Sequence, residues 1–119
     1  MPDYVDGYVT PVPKKKLRAY LRMARLGAKV WKKHGALAYR ECVADDLQTQ
    51  FGSTFPRQLK LKGGETVVFS YIVFKSRAHR DRVNALAMKD PRMAAIANIP
   101  MPFDHKRMLY AGFKAMVSS

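Results

Sequence analysis

The chain has 119 residues, 48% of them apolar, with 22 Lys and Arg against 9 Asp and Glu. That length fits one domain, residues 1–119, large enough to hold a core without a metal or disulfide staple. A single cysteine, Cys42, excludes an intrachain disulfide and fits a reducing, cytoplasmic compartment, and no apolar run approaches the roughly 20 residues of a membrane span. The N-terminal MPDYVDGY lacks the basic and apolar regions of a signal peptide. No membrane partner is therefore expected. The net charge of +13 suits an anionic partner, but it governs encounter rather than fold.

YVDGYVTPV (4–12) reads as a strand ended by Pro11. Pro13 opens a helix reaching His34, with Gly35 as the C′ residue. Leu17, Tyr20, Ala24, Ala28 and Trp31 form its apolar face. ALAYRECVA (36–44) is a second strand. Asp45–Phe55 is a polar connection, and FPRQLKLK is either a short helix or an irregular strand. Gly63–Gly64 marks a turn before the strongest strand, Thr66–Phe74. Ser76 caps a second helix over 77–89, with Val83, Leu86 and Ala87 facing inward. Asp90–Pro91 restarts a short helix through Ile96. A Pro-punctuated loop, 98–107, delivers the last strand, 108–117.

The order β-α-β-β-α-β is the ferredoxin-like plan, an α+β fold with an antiparallel sheet and both helices on one face. The free face of such a sheet is normally polar. Here Val67, Phe69, Tyr71 and Val73 alternate with Val68, Ile72 and Phe74, leaving only Ser70 polar. The last strand repeats this, with Leu109, Ala111, Phe113 and Ala115 against Met108, Tyr110 and Met116. Both faces call for burial. Two helices cover one, and the simplest cover for the other is a second copy. A homodimer with two facing sheets, a dimeric α+β barrel, is expected.

YVDGYVTPVPK (4–14), GALAYRECVADD (35–46), ETVVFSYIVFKSRAHRD (65–81), KDPRM (89–93) and MPFDHKRMLYAGF (101–113) together resemble the YbaA-like family of small bacterial proteins of unknown function. The resemblance runs nearly end to end. It departs at His105 and Ala111, where glycine is usual, and at Val43, often a tryptophan. It implies the dimeric α+β barrel and no particular activity. Wider relatives of that barrel include cofactor-independent monooxygenases and haem-degrading enzymes, a fold-level analogy only.

The candidate sites follow from residue chemistry. Asp104 and Arg107, with Arg92 from DPRM, would form a polar cluster at one end of the barrel, since an Arg fork suits a carboxylate or phosphate ligand. The structural alternative is a delivery turn, with Asp104 as a cap and Arg107 paired to it or to a partner subunit. Glu41 and Asp6 lie in strands, where a buried carboxylate acts as an acid or base; the alternatives are that it points to an edge or pairs with Arg40 or another cation. Cys42 has no nearby histidine at suggestive spacing and reads as a buried, inert thiol. His34, His79 and His105 stand singly, so no metal site is expected. No G-x-G-x-x-G or Walker motif is present, so no cofactor is expected.

Lys14, Arg18, Arg22, Arg25, Lys29, Lys32 and Lys33 fall on one face of the first helix. Such a ridge tracks phosphates or is merely solvated, and no aromatic residue interleaves it for stacking on single strands. VVFSYIVF (67–74) also approaches the RNP1 strand of RNA-binding sheets at Phe69, Tyr71 and Phe74, but valines replace its leading cation and glycine. The reading of the whole is a homodimer that binds a small molecule or acts as a cofactor-independent enzyme, with contacts from Glu41, Arg92, Asp104 and Arg107. The alternative is non-specific nucleic-acid binding through Arg18, Arg22, Arg25 and Lys29 or through the sheet face.

Overall fold

The computed structural model describes residues 3–119. Its strands are β1 (Tyr4–Pro13), β2 (Ala38–Val43), β3 (Glu65–Phe74) and β4 (Leu109–Lys114), and its helices α1 (Leu17–Lys33), α2 (Phe55–Leu59), α3 (Arg77–Met88) and α4 (Pro91–Ala97). The sheet order is β2-β3-β1-β4, with every neighbouring pair antiparallel. The two longest strands are central, and the two with one neighbour are short.

The local rules explain most boundaries. A 3-10 turn over Lys14–Lys16 precedes α1, so the regular helix starts at Leu17, later than Pro13 suggested. Gly35 takes φ +116. Its N–H donates to Lys32 O and the Ala36 N–H to Trp31 O, which closes α1 as a Schellman motif. Ser76 caps α3 by accepting from the His79 N–H at 3.1 Å. Asp90 caps α4, with Pro91 next. FPRQLKLK resolves into α2, capped by Thr54, with Lys60 in the left-handed region behind it. β4 ends earlier than the apolar pattern suggested, because its partner β1 begins at Tyr4, opposite Lys114.

Cross-strand pairs share a face, which sorts the sheet residues. Tyr4, Asp6, Tyr8, Thr10 and Val12 of β1 lie with Val68, Ser70, Ile72 and Phe74 of β3 and with Tyr39 and Glu41 of β2. This is the helix side. Ile72 and Phe74 pack with Tyr4, Ala36 and Val83, and Val12 and Val68 with Tyr20 and Ala24. Gly27 and Val30 are buried on α1, whereas Ala28, expected on the apolar face, is only half-buried. On α3 the inner stripe is Val83 and Ala87. Leu86, expected inside, is exposed, because it lies about 100° round the helix from Ala87.

The other face carries Val5, Val9, Tyr71, Val73, Ala111 and Cys42 around three open apolar side chains. Phe69, Leu109 and Phe113 are 46%, 56% and 57% exposed in the single chain. Cys42 stands opposite Phe69 on this face and is exposed, which corrects the expectation of a buried thiol.

Candidate functional site

A cavity of about 380 Å³ lies between the helix side of the sheet, α1, α4 and the segment after α4. Its wall is almost wholly apolar. Tyr8, Tyr20, Trp31 and Tyr39 supply rings, and Met23, Met93, Met101 and Met108 supply soft, adaptable surface. Its carboxylate is Glu41.

The fold aims three hydroxyls at that carboxylate. Ser70 is the cross-strand partner of Glu41, and its Oγ donates to Oε1 at 2.5 Å. Tyr20, one turn into α1, donates to the same oxygen at 2.8 Å. Tyr39, two residues earlier on the same face of β2, donates to Oε2 at 2.8 Å. Gly27 makes room for this, since a Cβ there would stand 3.2 Å from the Tyr39 hydroxyl. Burial pushes the hydroxyls of Tyr20 and Tyr39 well above the usual tyrosine range, and the Glu41 charge adds to it. They therefore remain protonated donors at neutral pH. A carboxylate oxygen accepts about two hydrogen bonds. Oε1 is filled by Tyr20 and Ser70, while among the described residues Oε2 holds only Tyr39, which leaves it one acceptor position.

Beyond Tyr8 lies a second polar group. Asp6 is fully buried and takes a hydrogen bond from Arg80 Nη1 at 2.7 Å, while among the described residues its Oδ2 has no partner. Arg80 also donates to Asp81 and to the Tyr110 hydroxyl, and its guanidinium lies 5.0 Å from the Tyr4 ring centre. Tyr110 stacks on Tyr8 at 4.8 Å. Burial, helped by the Asp6 charge, pushes the Tyr8 hydroxyl well up.

The residues singled out in the sequence are not gathered at one point. Glu41 faces the cavity. Arg92 is tied to Asp90 through Nε at 3.1 Å and Nη2 at 2.9 Å, and His34 Nε2 meets the same carboxylate at 2.8 Å. Asp104 accepts from the Lys106 N–H and caps the 3-10 turn His105–Arg107. Arg107 pairs with Glu65 at 2.6 Å and reaches the carbonyls of Leu59 and Lys60, so it does not pair with Asp104. Asp104 and Arg107 do share the wall of a second, polar hollow of about 740 Å³, with Lys14, Lys15, Lys16 and Lys62. Arg18, Arg22, Arg25 and Lys29 are exposed on the outer side of α1. Among the described residues, no group of three His, Cys, Asp or Glu is placed to hold a metal.

Sequence reasoning missed Tyr20, Tyr39, Ser70 and Gly27 as a set. The alternation of Tyr39 and Glu41 along β2 was visible. The arrival of Tyr20 from α1 looked like ordinary core packing, and the cross-strand position of Ser70 depended on register.

Residues 3–105 match the family model described as a protein of unknown function (DUF1428). The uncharacterized protein YbaA of Escherichia coli K12 is 42% identical over 114 residues, covering 96% of this chain and 97% of that protein. The Shigella flexneri YbaA matches equally. A crystal structure of a dimeric ferredoxin-like protein from an uncultured marine organism superposes with a TM-score of 0.63 over the whole of both chains. At 12% identity that likeness speaks for the ferredoxin-like fold alone. By the match along its length and by its close likeness to YbaA, the chain belongs to the YbaA-like family of proteins of unknown function, DUF1428.

Proposed function

We propose that this protein binds a slender, mostly apolar small molecule between sheet and helices, oriented by one hydrogen-bond donor on Glu41. The single observation that carries this reading is a carboxylate, in an apolar cavity, with three protein donors and one acceptor position left over. Few polar groups in an apolar hollow are the usual anatomy of a ligand site. Trp31, the only tryptophan, forms part of the wall, so its fluorescence reports occupancy. Titration with 1,10-decanediol should give a saturable change. Glu41→Gln should weaken binding about tenfold or more, because a charge-assisted hydrogen bond becomes a neutral one. No saturable change, or equal affinity in the variant, overturns the reading.

The same reading includes a homodimer. Phe69, Leu109 and Phe113 leave an apolar sheet face that a second copy covers by two-fold symmetry. The dimeric state described for the marine ferredoxin-like protein supports it by analogy. Nucleic-acid binding has the exposed cations Arg18, Arg22, Arg25 and Lys29 in its favour, but no aromatic residue stands among them. A steep loss of binding with salt would mark that alternative.

A further inference from the structure

The cavity and the polar hollow share two residues, Met101 and Phe103. Phe103 is braced edge-on against Tyr20 at 5.7 Å. Met101 is 54% exposed, unbranched and the more movable part of the partition. On its far side the hollow is cationic. Arg107 is neutralised by Glu65 at 2.6 Å. Lys14, Lys15, Lys16 and Lys62 are exposed, and among the described residues none of them forms an ion pair. Against these four ammonium groups the hollow sets one remaining carboxylate, Asp104.

We propose that the two spaces are two ends of one site, and that its ligand is an apolar molecule with a terminal anion, carboxylate or phosphate, held by Lys14, Lys15, Lys16 and Lys62. This rests on the cavity reading above. Glu41 takes the donor end, the methionine and aromatic walls take the body, and the ammonium groups take the charge beyond Met101. An apolar body alone has no reason to stop beside four unpaired lysines. A free anion alone would hold weakly at exposed ammonium groups, because solvent screens them. Joining the two makes the second contact intramolecular and raises affinity without a new protein group.

The test compares 1,10-decanediol, 10-hydroxydecanoate and 10-hydroxydecyl phosphate by Trp31 fluorescence at low salt. At least one anion should bind ten times more tightly than the diol. A preference for the phosphate identifies a phosphorylated ligand, and equal gains for both identify a carboxylate as sufficient. In Lys15→Glu/Lys16→Glu/Lys62→Glu the ratio of anion to diol affinity should fall to about two or less. Arg18→Glu/Arg22→Glu/Arg25→Glu makes the same charge change on the outer side of α1 and should keep the ratio high. Diol binding with no anion advantage, or an advantage that survives the lysine changes or falls equally with the arginine changes, overturns this inference and leaves the cavity reading standing. Failure of all three probes overturns both.

Discussion

The Tyr39 hydroxyl passes 3.2 Å from where a side chain on Gly27 would begin, and ends on Glu41 Oε2 at 2.8 Å. A glycine within α1 costs about 1 kcal/mol of helix stability relative to alanine. Its place here follows from a donor that must reach across the helix. Gly27→Ala should therefore gain little or no stability, because the helical gain is offset by displacement of a hydrogen-bonded hydroxyl. In a Tyr39→Phe background the nearest ring carbon lies 3.9 Å away, an ordinary contact. There Gly27→Ala should be more favourable by about 0.5–1 kcal/mol. Urea unfolding of the four proteins of the cycle measures this coupling, and strict additivity would contradict the account of Gly27.

The buried pair of Asp6 and Arg80 should behave asymmetrically. Arg80→Met leaves a carboxylate with no exposure and no cation, which costs about 3–5 kcal/mol. Asp6→Leu/Arg80→Met removes both charges and should recover most of that loss. Denaturant midpoints of the single and double variants decide it. A double variant as unstable as the single would mean that the pair is not the source of the loss.

Asp90 gives the acid dependence. Hydrogen bonds from the Arg92 guanidinium, the Arg92 N–H and His34 hold its carboxyl well below the usual carboxylate range. A group whose folded pKa is depressed stabilises the fold above its unfolded value, near 3.9 for aspartate. That contribution is lost as pH falls through the lower, folded value. Asp90→Asn keeps a helix cap but no titratable charge. The stability difference between wild type and Asp90→Asn should shrink steadily below about pH 4. Melting temperatures across that range would show it, and a difference independent of pH would contradict the role of this carboxylate.

The element order, and with it the ferredoxin-like fold, was legible because each boundary carried a local signal. Gly35, Ser76 and Asp90–Pro91 punctuate the chain where its helices stop and start. The doubly apolar character of β3 also showed in its alternation, and the structure separates Val68, Ile72 and Phe74 from Phe69 and Tyr71 onto opposite faces. The site was legible only in part. Glu41 stood out as a carboxylate among apolar strand residues, but its partners depend on strand register and on the angle of α1, which no local pattern encodes. Arg92, Asp104 and Arg107 drew attention by residue type. Their partners, Asp90, the Lys106 N–H and Glu65, are fixed by tertiary approach or by turn geometry. Cys42 was expected to be buried because no activating histidine stood near it in sequence, but its face is open in the single chain.

On the proposed function the two faces of the sheet have separate tasks, one around a ligand cavity and the other against a second copy. Absolute mass by light scattering after size exclusion at moderate salt tests this most directly. A mass twice the 13.5 kDa of the chain is expected, falling to one chain when Phe69 and Phe113 are changed to Glu. A wild-type mass of a single chain would contradict it, and would leave Phe69, Leu109 and Phe113 in water.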